Sequence, residues 1–248
     1  MTAPLIEVCV EGIDGFLAAQ EAGADRVELC ASLLEGGITP SFGVVAEAQR
    51  RARIPIHVIV RPRGGDFLYS AAEFETMGAD IVRLREMGVA GIVIGILTPD
   101  GTIDEERMTE LVNLAGEMAV TCHRAFDMTR DPEEAIEALV RCGVDRVLTS
   151  GQRDTAVEGM AILKRAKAAA GGRIKIMACG ALGVDSIAGV LRDSGADELH
   201  FAAPKTIGSA MGYRNPHVGM GGTAIEREYQ LTLTDPEMVR RMIAAVRG

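Results

Sequence analysis

Apolar positions along this chain recur in two alternating rhythms. Short apolar runs at residues 5–10, 26–30, 54–61, 91–97, 120–126, 146–150, 173–179 and 198–202 read as strands. Behind them come stretches of helical period at 14–22, 42–52, 71–87, 104–117, 132–142, 155–170, 185–194 and 236–246. The punctuation agrees. Ser70 with Glu73 fits a capping box, Asp131-Pro and Asp235-Pro fit N-caps with proline in the first turn, and Gly23, Gly88, Gly143, Gly171 and Gly195 stand where helices stop. Eight strands alternating with eight helices predict parallel pairing through right-handed crossovers, hence a closed (β/α)8 TIM-type barrel. The reading takes residues 1–248 as one domain. An internal echo supports it: Gly23-Ala-Asp-Arg-Val-Glu-Leu, Gly143-Val-Asp-Arg-Val-Leu-Thr and Gly195-Ala-Asp-Glu-Leu-His-Phe repeat one helix-stop-then-strand unit. A long loop is expected at 208–222, before the last helix, and loops of that length are usually functional or disordered.

Strand alternation then sorts the side chains. Ile6, Val8 and Val10 face the helices, which sends Glu7, Cys9 and Glu11 into the barrel. By the same phase Arg26, Glu28 and Cys30 point inward from the second strand, and His57, Ile59 and Arg61 from the third. His123, Ser150, Lys175, Cys179 and His200 follow from later strands. Barrel active sites lie at the C-terminal strand ends, where Arg61, Arg63, Asp66, His123, Arg124, Asp127, Ser150 and Gln152 fall. The third of these ends is the densest: Arg61-Pro-Arg-Gly-Gly-Asp-Phe-Leu-Tyr-Ser70 puts two arginine forks, an aspartate and two permissive glycines between a strand and a capped helix.

The candidate catalytic set is therefore Glu7, Glu28, Arg61 and His123, with carboxylates and a histidine able to move protons near neutral pH. Arg63, Asp66, Arg124, Asp127, Ser150 and His200 are the candidate ligand-binding residues. Cys9 and Cys30, inward on adjacent strands about 4.8 Å apart, are the candidate metal ligands. A structural reading competes: buried charges must pair, so Glu7 and Glu28 with Arg61 and Lys175 are expected to form an ion network, with Arg61 bonded to a carboxylate beneath it.

Composition narrows the partners. A net charge of −9 argues against nucleic acid or an anionic membrane, and the longest apolar run, 89–97, is too short to span a bilayer. Five cysteines without a C-x-x-C pair suit a reducing cytoplasm. The first residues carry no basic segment followed by an apolar stretch, so no signal peptide is expected.

The segments Glu7-Val-Cys-Val, Gly23 to Cys30, Glu35-Gly-Gly-Ile-Thr-Pro40, Arg61 to Ser70, His123-Arg-Ala-Phe-Asp127, Asp145 to Gln152 and Tyr213-Arg-Asn-Pro through Met220-Gly together resemble the CutC family of copper homeostasis proteins. The resemblance runs nearly end to end. It implies a cytoplasmic TIM-type barrel, often homo-oligomeric, associated with copper. Two departures from the family pattern, Ala178-Cys-Gly-Ala-Leu-Gly183 and His200-Phe-Ala, put bulk where barrels often hold phosphate. Two functions remain open: a protein binding Cu(I) through soft thiolates, or an enzyme acting on a small anionic metabolite through the Arg/Glu/His mouth. Neither involves a nucleotide cofactor.

Overall fold

The computed structural model describes residues 3–220 and 227–248. Eight short parallel strands, β1 (Leu5–Glu11), β2 (Arg26–Cys30), β3 (Ile56–Ile59), β4 (Gly91–Ile94), β5 (Ala119–Cys122), β6 (Arg146–Thr149), β7 (Lys175–Ala178) and β8 (Glu198–Ala202), pair in sequence order. β8 returns to β1, with Glu7 opposite His200 and Cys9 opposite Ala202, so the sheet closes into a barrel. Between the strands run α1 (Gly12–Glu21), α2 (Phe42–Arg51), α3 (Ala71–Glu86), α4 (Glu105–Ala115), α5 (Pro132–Arg141), α6 (Met160–Ala170) and α7 (Ile187–Ser194), and α8 (Pro236–Arg247) ends the chain. This is the TIM-type (β/α)8 barrel that the alternation predicts.

The sequence dictates these elements locally. Ile6, Val8, Val10, Val27, Leu29, Ile56 and Val58 leave the sheet outward and are buried under the helices in the main hydrophobic core. Burial of each such side chain is worth about 1.5–3 kcal/mol. Ser70 and Glu73 form the expected capping box, and Asp131 and Asp235 accept the first helical N–H groups beside their prolines. Gly171 and Gly195 take left-handed C-cap conformations that cost a side chain dearly and glycine little.

Several boundaries differ from the sequence reading. The strands starting at Ile56 and Lys175 are shorter than the apolar runs that contain them, and residues 155–159 form a turn before α6 rather than its first turn. The larger difference is at 208–222. Two antiparallel strands, β9 (Pro204–Gly208) and β10 (Gln230–Thr234), flank this stretch, so it belongs to the connection of a hairpin. Residues 221 and 222 lie outside the described residues. No helix among the described residues is long and apolar enough to cross a membrane.

Candidate functional site

Charge fills the lower barrel. Arg26 bonds Glu7 through Nε and lies 2.6 Å from Glu198 through Nη2. Arg146 reaches Glu198 at 3.3 Å and Lys175 reaches it at 3.4 Å. Burial alone would raise the Glu7 carboxyl, but Arg26 and a hydrogen bond to His200 hold it well below the ordinary carboxylate range. The ion network expected from sequence therefore exists with different members: Arg26, Glu198 and Arg146 join Glu7 and Lys175, and Arg61 takes no part. Beside it, burial pushes His57 down to about 3, against the pull of Glu7.

One layer higher, three side chains from three strands converge. One ligand-type atom each of Cys9, Glu28 and His200 lies within 4.8 Å of the others, and all three residues are buried. Cys30 joins them, its Sγ 3.9 Å from that of Cys9 and 3.3 Å from the Val10 carbonyl oxygen. His200 binds Glu7 at 2.7 Å through Nδ1, which turns Nε2 toward Glu28 at 3.6 Å. The hydrogen bond shared with Cys30 raises the Cys9 thiol well above its usual range, and burial and the Glu28 charge add to this. Burial raises the Glu28 carboxyl. Burial would lower His200, but the Glu7 hydrogen bond and the Glu28 charge outweigh it, so His200 favours its charged form. Without metal the floor thus holds a protonated thiol and an imidazole drawn toward its cation.

Above this floor opens a cavity of about 610 Å³, whose wall includes Cys9, Glu28, Arg61, His123, Arg124, Asp127 and His200. Arg61 corrects an expectation. Its Nη1 donates to the carbonyls of Glu35 (2.5 Å) and Gly37 (3.1 Å), and its Nη2 to that of Gly65 (2.8 Å). Among the described residues no carboxylate forms an ion pair with it; its guanidinium carbon lies over the Phe67 ring, 5.0 Å from the centroid. The two neighbouring loops curl around the guanidinium and take up the donors that a carboxylate would have met. His123 accepts the Ala125 N–H on Nδ1 at 3.1 Å, which leaves the ring proton on Nε2, and Nε2 has no hydrogen-bond partner among the described residues. Burial, then the Arg61 charge, push His123 down to about 3.

The other candidates divide. Asp127 accepts from Arg124 Nε (2.7 Å), Thr149 Oγ1 (2.5 Å), the Ser150 hydroxyl (2.9 Å) and the Gln152 N–H (3.0 Å). It thereby ties the loop after β6 to the mouth. Ser150 belongs to that web and does not line the cavity. Arg63 spends its donors on Glu73 (2.6 Å), Asp66 (3.1 Å) and nearby carbonyls, stacks on Tyr69, and lines the cavity no more than Asp66 does. Glu7 lies below the cavity, and Cys30 borders it through Cys9. Sequence reasoning missed the pairing of Arg26 with Glu198. It also missed Gly91 and Gly95 of β4 and the residues after it, where an added Cβ would stand 2.6 Å from His57 and 2.6 Å from His123. Both glycines occupy inward phase, and that was the available signal.

Comparison with known proteins agrees with the architecture. The family model described as CutC family matches residues 4–205. A family protein CutC of Mesorhizobium japonicum is 62% identical over 245 residues, covering 99% of this chain and 95% of its own. The human copper homeostasis protein cutC homolog is 44% identical over 244 residues, 98% of this chain and 89% of its own. The crystal structure of CutC from Streptococcus agalactiae superposes with a TM-score of 0.76 at 32% identity, covering 80% of this chain and 98% of that one.

Proposed function

This chain belongs to the CutC family of copper homeostasis proteins, and we propose that it binds Cu(I) directly at the floor of the barrel mouth, through Cys9, Cys30 and His200. The observation that carries the reading is the 3.9 Å separation of the two sulfurs beside an imidazole nitrogen. Two thiolates about 2.3 Å from one metal ion subtend about 115° at that separation, the angle of a three-coordinate site. His200 is oriented for the third position, because Glu7 holds Nδ1 as outer carboxylates hold metal-bound histidines. Soft thiolates select Cu(I) over the harder cations that Glu28 alone would attract. Glu28, whose carboxyl burial raises, sits close enough to take up a proton released from a thiol. Ligation must displace protons from Cys9 and His200, so affinity should rise with pH.

We further read the protein as cytoplasmic and homo-oligomeric. Five cysteines, all buried and unpaired, support a reducing compartment, and the apolar face of the β9–β10 hairpin supports self-association. The test is copper retention under anaerobic, reducing conditions against a competing Cu(I) chelator. Wild type should keep one Cu(I) per chain and Cys30→Ser none, because serine replaces a soft thiolate with a hard, protonated oxygen. Equal copper in the folded variant and the wild type would overturn the site.

A further inference from the structure

The buried charges of the barrel largely cancel. Below the floor, Arg26 and Arg146 face Glu7 and Glu198, two for two. At the floor Glu28 faces His200 at 3.6 Å, and at the rim Asp127 holds Arg124 at 2.7 Å. Lys175 and Glu35 are exposed, where water screens them. Arg61 is left over: it is 6% exposed, and among the described residues no carboxylate forms an ion pair with it. An unmatched buried charge is costly, and this one is fixed beside the cysteines. The carbonyls of Glu35, Gly37 and Gly65 occupy its fork, so its charge acts from one place and its donors are spent. Gly37 stands between it and the floor. Its carbonyl accepts from Arg61 Nη1 at 3.1 Å, its φ is +90°, and a Cβ there would lie 3.4 Å from Cys30 Cβ and 3.7 Å from Cys30 Sγ.

We infer that Arg61 is a specificity-determining residue of the cysteine floor: its fixed charge favours a monovalent soft ion, Cu(I) or Ag(I), over a divalent one such as Zn(II). The inference rests on metal binding by Cys9, Cys30 and His200. A metal site is balanced only when the charge of the ion is included. Cu(I) with two thiolates and a neutral imidazole keeps a net negative charge, whereas Zn(II) with the same ligands is neutral. For any one state of Glu28, the copper-filled floor is therefore one unit more negative than the zinc-filled floor. A cation held one residue away inside the protein acts through a low dielectric and is poorly screened by salt. It stabilises the copper-filled floor and finds no net charge to act on in the zinc-filled one. The empty site leaves the guanidinium unmatched, and the charge that balances it comes with the metal.

The test is competition between the reduced full chain and chelators of known affinity for Cu(I), Ag(I) and Zn(II), without oxygen. Two variants remove the charge by different routes. Arg61→Gln deletes it. Phe67→Glu keeps Arg61 and its loop bonds but sets a carboxylate in place of the ring whose centroid lies 5.0 Å from the guanidinium carbon; Phe67→Gln is its uncharged control. Both charge-removing variants should lose about tenfold or more in affinity for Cu(I) and Ag(I), and stay within about threefold of wild type for Zn(II). Phe67→Gln should keep the wild-type ratio of Cu(I) to Zn(II) affinity. Gly37→Ala should weaken all three ions alike, because its Cβ crowds the Cys30 thiol and changes no charge. If Arg61→Gln does not fold, Phe67→Glu decides. Cu(I) and Zn(II) affinities that fall together in the folded charge variants, as a purely structural role requires, or that do not fall at all, would overturn the inference and leave the copper reading standing. A wild type that retains no Cu(I) would overturn both.

Discussion

Three histidines share the barrel interior and titrate in opposite senses because of what touches them. His200 has a carboxylate on each nitrogen and is raised. His57 has an unpartnered Nδ1 3.9 Å from Glu7, with the Arg26 and Arg146 charges opposing its cation. His123 has only a backbone donor and Arg61 for company. The last two are pushed down to about 3, below the 6.5 or so of an unfolded histidine. Their contribution is fully present above about pH 6.5 and is lost as pH falls toward the folded value, because the unfolded chain then binds protons that the folded chain refuses. Between pH 7 and 5 the loss is about 2 kcal/mol for each. His200 has the opposite sign: its contribution is present below about pH 6.5 and fades as pH rises through its raised folded value. Urea unfolding at pH 7, 6 and 5 should therefore show acid destabilisation in wild type, and His123→Gln should lose about 2 kcal/mol less over that interval. Parallel pH profiles for the two proteins would show that His123 is not held neutral.

At the scale of elements, β4 makes room for the imidazoles. Gly91 lies in β4 and Gly95 just past its end, and an added Cβ at either would stand 2.6 Å from His57 or His123 respectively. Gly95→Ala should cost about 1–3 kcal/mol by overpacking and should displace His123; Gly91→Ala should do the same to His57. Thermal melts with histidine ring NMR shifts check this. An alanine that leaves both stability and the His123 signals unchanged would mean that the ring is free to move aside. Such inward glycines mark how far the sequence can be read. Two-residue alternation identified the helix-facing Ile6, Val8 and Val10 and the inward Glu7, Cys9 and Glu28, because a barrel strand has only two faces. It also placed Arg61 and His123 at the mouth. It did not tell Arg61 from Arg63, since which carbonyls and carboxylates absorb each guanidinium depends on how two loops curl. Nor did it find Arg26 with Glu198, a contact across 172 residues of chain. The hairpin was hidden for a related reason: Leu231-Thr-Leu-Thr alternates clearly, but its partner strand lies some twenty residues earlier rather than across a tight turn.

For the molecule as a whole, that hairpin is the part the barrel does not account for. In β9 and β10, Ile207 stands opposite Leu231, and Leu233 follows two residues on, so the three share one face. They are 38%, 48% and 37% exposed. The threonines opposite each other, Thr206 and Thr232, take the other face. A two-stranded ribbon is marginal in water by itself, and its outer edges offer unpaired backbone groups to another chain. Covering the apolar face with a second copy would bury those three side chains at roughly 25 cal/mol per Å² of apolar surface removed from water, without touching the mouth residues Arg61 and His123. The expected outcome is a homo-oligomer in solution, with a mass that is a multiple of the 26.3 kDa chain. The double variant Ile207→Glu, Leu231→Lys should sediment as a monomer while its circular dichroism and Cu(I) stoichiometry match wild type, since neither residue lines a cavity that Cys9 borders. Analytical ultracentrifugation at micromolar concentration reads the difference directly. A wild type that sediments at 26.3 kDa, or a double variant that still assembles, would move the interface away from the hairpin.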